Sequence, residues 1–150
     1  MKFCYATYHC EPSAANPNGV IVRPKVLLNI RGPNGDLFDL ALVDTGADHT
    51  TLPMSIANEL GIQLITEQAT PASGFSGEEI ETMPGEVELA IVGPNDEIRW
   101  RASVYFARFA DSMKEECVLG HVGGLQFFSA LFDGEREELT LTANSTLPRS

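Results

Sequence analysis

The chain has 150 residues, a length that suits one compact domain and is sufficient to bury a core without disulfides or metal ions. Its formal net charge of -11 at pH 7 argues against binding to nucleic acids or anionic membranes, because both need basic patches. Its three cysteines cannot all pair within one chain, and no long apolar run lies near the N-terminus. We therefore expect a reducing, cytoplasmic setting.

The first predicted elements are β-strands. Residues 3–8 favour a short strand, followed by a link that contains Pro, Asn and Gly. Apolar and β-branched residues at 20–30 and 37–43 flank a turn at 31–35, and this pattern predicts a β-hairpin. The second strand of the hairpin is predicted to end immediately before Asp44.

The rest of the chain is also predicted to be mostly strand. Residues 54–60 favour one or two helical turns, which Gly61 ends. Alternating or β-branched patterns predict further strands at 67–73, 78–82, 86–92, 98–107 and 138–142. The sequence therefore predicts an all-β fold with little helix.

The most informative segment is an apolar run at 40–43 that ends in Asp44, Thr45 and Gly46. A strand with apolar residues at successive positions is buried on both faces, so this strand delivers one carboxylate from the core into a tight turn. Gly46 permits the close approach of another chain because glycine has no Cβ. The pattern indicates a chemical role for Asp44.

Residues 42–50, with the sequence LVDTGADHT, resemble the active-site loop of retropepsin-like, single-domain aspartic proteases. Two further landmarks follow in the order of that family. Residues 73–77 are similar to the glycine-rich flap that closes over substrate. Residues 117–120, followed by a short helical stretch at 124–128, are similar to the segment of two hydrophobic residues and a glycine beside the catalytic loop.

The resemblance implies a closed, acid-protease-like β-barrel with one or two short helices and one lobe per chain. The protease domain is expected at 20–142, with an N-terminal extension at 1–19 and a polar tail at 143–150. The implied chemistry needs two carboxylates, whereas the chain has a single copy of the motif. A working site therefore implies a homodimer that acts on a peptide or protein substrate.

The resemblance also assigns catalytic roles to Asp44, Thr45 and Gly46. Two symmetric Asp44 side chains would share one proton, because both cannot easily ionise at close range. The ionised member would activate a water molecule, and the protonated member would donate a hydrogen bond to the scissile carbonyl oxygen. Thr45 would lock the two loops across the dimer axis, and Gly46 would allow their close approach. No cofactor or metal is required.

A second group of residues is expected to contact substrate. By resemblance it comprises loop and flap positions, namely Ala47, Asp48, Gly74, Phe75, Ser76 and Gly77. In retroviral enzymes the residue at the Asp48 position pairs with an arginine that follows the third landmark, whereas this chain has His121 there. The sequence leaves open whether Asp48 pairs with His121.

Two other functional readings remain open at this stage. The chain is either a protease or a peptide-binding or scaffold module that retains the fold and cleaves nothing, because fold alone does not determine activity. A narrow self-processing activity that releases residues 1–19 is a further alternative. Cys4, His9 and Cys10 do not predict a zinc site, because no second pair of ligands follows at a recognised spacing.

Overall fold

A computed structural model describes residues 1–73, 79–109 and 114–148, except for the side chains of Ser73 and Glu79. Twelve strands and one α-helix lie in these ranges. In chain order they are β1 Lys2–Cys4, β2 Ala6–His9, β3 Val20–Arg23, β4 Lys25–Gly32, β5 Gly35–Val43, β6 Thr51–Pro53, α1 Met54–Leu60, β7 Thr70–Ser73, β8 Glu79–Val92, β9 Glu97–Ala107, β10 Cys117–Leu119, β11 Phe128–Asp133 and β12 Glu138–Ala143. Short 3-10 helices lie at Thr66–Gln68 and Leu125–Phe127.

Six strands close into a barrel. Their order is β4-β5-β10-β6-β9-β8, and β8 returns to pair with β4, with Ile30 opposite Leu89. β7 extends the sheet beyond β8. The pairs β5–β10 and β6–β9 are parallel, and the other ladders of the barrel are antiparallel. The predicted all-β, closed-barrel fold is confirmed.

Alternating side chains fill the barrel, because successive residues of a strand point to opposite faces. The largest completely buried side chains include Leu28, Ile30, Leu89, Trp100 and Phe106. The indole N–H of Trp100 donates a hydrogen bond to the carbonyl oxygen of Gly123 at 2.9 Å. This bond satisfies the one polar group that the indole brings into the core.

The predicted helix is confirmed at Met54–Leu60. It buries Met54, Ile56, Ala57 and Leu60, and Gly61 ends it in the left-handed conformation with φ of 68°. The Gly61 N–H donates to the carbonyl oxygen of Ala57. A glycine at this position avoids the Cβ penalty of a positive φ. No helix in the described part of the chain is both long enough and apolar enough to cross a membrane.

Both ends of the described chain lie in one small sheet with the order β1-β12-β11. The terminal ammonium of Met1 donates to the carbonyl oxygen of Leu141 at 2.9 Å. Leu139 and Leu141 of β12 are completely buried, and Phe3 of β1 packs against the same core. The segment predicted as an N-terminal extension thus contributes a strand to the sheet that holds β12. The domain boundaries at 19 and 142 stay predictions.

Several strand predictions were wrong in their limits. The two strands predicted at 78–82 and 86–92 are one strand, β8, which continues through Pro84 and Gly85. β4 pairs only with residues 88–91 of β8. Pro84 lacks a backbone N–H, but it lies outside this paired stretch, so the β4–β8 ladder loses no hydrogen bond. The short strands β6 and β11 were not predicted, because neither shows a clear alternation of polar and apolar residues.

We predict that Leu139→Ala lowers the free energy of unfolding by about 2–5 kcal/mol, because it leaves a cavity in the core. Leu40→Ala, at a position that is 44% exposed, should cost less than about 1 kcal/mol. Urea denaturation measures both values. Two separate unfolding transitions would contradict the assignment of the terminal sheet to the same cooperative core as the barrel.

Candidate active site

Asp44 lies where β5 leaves the barrel. The last residues of β5 pair in parallel with β10, with Val43 opposite Leu119. Both side chains are buried, and the N–H of Asp44 donates to the carbonyl oxygen of Leu119 at 3.1 Å. The barrel ladder therefore fixes the backbone from which the Asp44 carboxylate projects.

Two hydrogen bonds from backbone N–H groups to Asp44 stabilise the turn that follows this residue. The carboxylate oxygen Oδ1 accepts a hydrogen bond from the N–H of Gly46 at 2.9 Å, and the N–H of Ala47 donates to the Asp44 carbonyl oxygen at 3.2 Å. Asp44 and Ala47 are half-buried, whereas Thr45 and Gly46 are exposed. Oδ2 of Asp44 and the Thr45 hydroxyl have no hydrogen-bond partner in the described ranges. The turn orients the carboxylate and leaves one of its oxygens free.

A second segment, residues 120–124, supports the Asp44 loop through the backbone. The N–H of His121 donates to the main-chain carbonyl oxygen of Ala47, and the N–H of Val122 donates to the main-chain carbonyl oxygen of Asp48, both at 2.9 Å. The N–H of Thr50 returns a bond to the carbonyl oxygen of Val122 at 2.9 Å. Three main-chain bonds therefore hold the two segments in register.

Thr50 and Gly120 form the buried contact between these segments. The hydroxyl of Thr50 lies 3.3 Å from the Gly120 nitrogen and 3.4 Å from its carbonyl oxygen, within hydrogen-bond reach of both. A Cβ at Gly120 would overlap the carbonyl of His49 and would lie 2.9 Å from the carbonyl oxygen of Ala47. Gly120 is therefore required by close backbone approach. The sequence analysis assigned no role to Thr50, although the residue closes the motif at 42–50.

The structure describes no ion pair between Asp48 and His121, both of which are exposed. These two parts of the chain are joined by main-chain hydrogen bonds, so the support of the loop does not depend on the charge of the histidine. The ring of His49 packs edge-on against Tyr105 with centroids 4.8 Å apart. This contact anchors the exposed side of the loop to β9.

The predicted flap residues Gly74, Phe75, Ser76 and Gly77 lie outside the described residues. The strands that flank them, β7 and β8, are paired from Thr70 opposite Thr82 to Ser73 opposite Glu79. The Thr82 hydroxyl donates to the carbonyl oxygen of Thr70 at 2.9 Å. The contact of the flap residues with substrate stays a prediction.

An open groove of about 800 Å³ lies elsewhere on the barrel. Its walls come from β4, β8, β9 and the connection that follows α1, and they include Arg31, Leu64, Glu88 and Arg101. No residue of the 44–50 loop lines this groove. We place the candidate site at the Asp44 loop and not in the groove, because the loop holds a carboxylate that its own turn orients. In the ranges that the structure describes, no cluster of three or more His, Cys, Asp or Glu side chains is arranged to hold a metal ion.

A comparison with protein-family models covers this part of the chain. A family model described as aspartyl protease matches residues 33–121, a range that holds the Asp44 loop and the first two residues of its supporting segment, Gly120 and His121. Among solved structures, the chain is similar to the protease of EIAV complexed with the inhibitor HBY-793. That similarity has 25% sequence identity and a TM-score of 0.42, and it covers 66% of this chain and 82% of the other. A search of curated proteins finds no match.

We predict that Gly120→Ala lowers the free energy of unfolding by about 1–3 kcal/mol, because the added methyl group has no space. Gly134→Ala is the matched control: a Cβ there has no neighbour within 4 Å, and we expect a change within about 0.5 kcal/mol. In Gly120→Ala the amide protons of His121 and Val122 should also exchange faster. Equal effects of the two substitutions would contradict the close contact.

Proposed function

Because the chain belongs to the aspartyl protease family, we propose that it is a homodimeric aspartic endopeptidase whose active site joins Asp44 from two copies. The observation that carries this proposal is the Asp44 turn, in which the Gly46 N–H holds one carboxylate oxygen and both Thr45 and Gly46 are exposed. One chain supplies one such carboxylate, whereas the chemistry of the family needs two. A two-fold axis beside the turn supplies the second.

The proposed reaction is a direct attack of water on the peptide carbonyl. Two Asp44 carboxyl groups at close range share one proton, since like charges at short distance disfavour double ionisation. The ionised member takes a proton from water, which then attacks the scissile carbonyl carbon. The protonated member donates a hydrogen bond to the carbonyl oxygen. The C–N bond of the resulting tetrahedral intermediate then breaks as the proton taken from water passes to the leaving nitrogen, so a carboxyl product and an amine product form without a covalent enzyme intermediate.

The neighbours of Asp44 have positioning roles in this proposal. The exposed hydroxyl of Thr45 is available to bond across the axis, and Gly46 leaves space for the partner loop. Ala47 and Asp48 contact the backbone of a bound peptide from below, and Gly74, Phe75, Ser76 and Gly77 cover it from above. We also propose a reducing, cytoplasmic location, since Cys4, Cys10 and Cys117 are all free thiols.

One alternative from the sequence becomes less favourable in the light of the structure. Self-processing that releases residues 1–19 would remove β1 from its pairing with β12, together with the bond from Met1 to Leu141. It would also uncover part of the core that Phe3 contacts. Cleavage of a separate peptide has no such cost. The scaffold alternative differs from the protease only in activity, which Asp44→Asn tests directly.

We predict that Asp44→Asn lowers the rate of peptide cleavage by at least about 10²-fold, because asparagine cannot act as a base or share a proton. The fold should persist, since the amide oxygen can still accept the bond from the Gly46 N–H. Digestion of a diverse peptide library across pH 3–8 measures the rate. Asp96→Asn, the same chemical change in the exposed β8–β9 turn, is the control and should retain wild-type turnover. Equal turnover of all three proteins would refute the chemistry, and no cleavage by any of them would support the scaffold alternative.

We also predict that specific activity depends on protein concentration, because each chain holds half of the site. Dilution below the dimer dissociation constant should reduce activity in parallel with the loss of dimer. Sedimentation velocity and a fluorogenic peptide, chosen from the library digest, measure the two quantities on the same samples. A monomer with full activity would rule out the shared site.

A further inference from the structure

One face of β5 carries exposed apolar side chains. Phe38, Leu40 and Leu42 occupy alternate positions of the strand, and Leu27 of β4 lies directly opposite Leu40. Residues directly opposite in an antiparallel pair share a face of the sheet, so these four side chains lie together. Phe38 is 60% exposed and Leu40 is 44% exposed, whereas Leu27 and Leu42 are half-buried. These four residues form the β5 stripe.

The β5 stripe lies on the outside of the barrel. The residues that alternate with it, Ala41 and Val43 of β5 and Val26 and Leu28 of β4, are buried in the core. An antiparallel ladder with one face in the core normally shows polar residues on its other face. The packing of the barrel therefore does not account for the apolar character of the stripe. Apolar side chains that lie together on an outer face are typical of a surface that binds another molecule.

The stripe leads directly to Asp44. Residues two positions apart on a strand point to the same side, so Asp44, the residue after β5, continues the series of Phe38, Leu40 and Leu42. The six positions from Phe38 to Asp44 correspond to about 20 Å at a rise of about 3.3 Å per residue. An extended peptide covers that distance with about six residues. A peptide held at Asp44 can therefore reach the far end of the stripe.

The charged groups at the two ends of the stripe already have partners. The ammonium of Lys25, which lies opposite Leu42, is 2.9 Å from the Glu116 carboxylate, and the Lys25 side chain is only 10% exposed. At the other end, Oδ2 of Asp36 accepts a hydrogen bond from the side-chain amide of Asn29 at 2.9 Å. The residues of the stripe itself are uncharged. The stripe therefore favours apolar side chains of a ligand over charged ones.

We infer that the β5 stripe is an exosite, a second binding surface that holds an apolar, extended segment of the substrate beside the residues that flank the scissile bond. This inference rests on the proposed protease and specifies its substrate class: polypeptides with apolar residues within about six positions of the bond that is cleaved. Binding removes Phe38 and Leu40 from water, which supplies the affinity. A symmetric dimer holds one stripe beside each Asp44, so a segment on either side of the bond meets a stripe.

Contacts at the stripe should act on KM and not on kcat. The far end of the stripe is remote from the reacting atoms, so its contacts are equally strong in the bound substrate and in the transition state. Loss of such uniform binding raises KM and leaves kcat unchanged. A role of the stripe in the support of the Asp44 loop would instead change kcat for every substrate, including the shortest. The two roles are therefore separable by kinetics.

Three peptides test the exosite. The first is a short core peptide that the protein cleaves, taken from the library digest. The other two extend this core by about six residues, in which either Leu alternates with Ser or all residues are Ser. An extended segment with this alternation presents its leucines on one face. For the wild-type protein, the KM of the Leu-containing peptide should be at least about tenfold lower than that of the Ser-extended peptide, with equal kcat.

Substitutions on the protein locate the effect. Phe38→Ser combined with Leu40→Ser should raise the KM of the Leu-containing peptide to that of the Ser-extended peptide, and each single substitution should give part of this increase. Ile65→Ser is the control that matches Leu40→Ser, because Ile65 is 42% exposed on the wall of the separate groove. It should leave the KM unchanged. All of these proteins should cleave the core peptide with wild-type kcat and KM, which also shows that they are folded.

The same contact is measurable without cleavage. In Asp44→Asn protein, addition of Phe38→Ser and Leu40→Ser should raise the Kd for the fluorescently labelled Leu-containing peptide at least about tenfold. Addition of Ile65→Ser should leave this Kd unchanged. Fluorescence anisotropy measures the values, and sedimentation velocity of the same samples measures the oligomeric state.

The outcomes separate the exosite from the protease. Cleavage of the core peptide together with values of KM and Kd that do not depend on Phe38 and Leu40 would overturn the exosite and leave the protease intact. If no peptide is cleaved and the Kd still depends on these two residues, the protease is wrong and the stripe is the peptide-binding surface of a scaffold. If the substitutions instead dissociate oligomers and leave the Kd unchanged, the occupant of the stripe is a second copy of the chain, and the exosite is refuted.

Discussion

The structure depends on one close contact between main chains, the approach of the Asp44 loop to the segment that begins at Gly120. Two distant parts of the chain approach closely there because Gly120 has no side chain, and the Thr50 hydroxyl packs directly against the Gly120 backbone. Main-chain hydrogen bonds on either side of this contact set the path of the loop. The orientation of the Asp44 carboxylate follows from that path. Main-chain hydrogen bonds and close packing therefore hold the loop in place, and it needs no ion pair at Asp48.

The same contact connects the Asp44 loop to the terminal sheet. The segment that supports Asp44 continues through one short helix into β11, so the Asp44 loop and this strand belong to one hydrogen-bonded unit. This connection makes the position of the Asp44 loop depend on the packing of the terminal sheet as well as on the ladder of the barrel.

The sequence was sufficient to predict those helices and strands that adjacent residues determine. The helix at Met54–Leu60 was predicted together with its C-terminal end. A glycine that ends a helix in the left-handed conformation is recognisable from the adjacent residues alone. The resemblance at 42–50 located Asp44, and the family model confirms the aspartyl protease assignment. The break predicted near Pro84 was wrong. β8 tolerates a proline there because β4 does not pair with that part of the strand, and this depends on how the whole barrel is arranged. β11 was missed because exposed apolar residues interrupt its alternation. The role of Thr50 depends on a partner 70 positions away.

The pairing of β1 with β12 has a consequence for the order in which the fold forms. The bond from Met1 to Leu141 spans 140 positions, so β1 finds its place only when two segments that are far apart in the sequence have met. Contacts of such long range close slowly, because the loop entropy must be overcome before they form. Among the described strands β11 pairs only with β12, so it too lacks its strand partner until β12 is in place. We therefore expect the terminal sheet to be among the last parts of the fold to form.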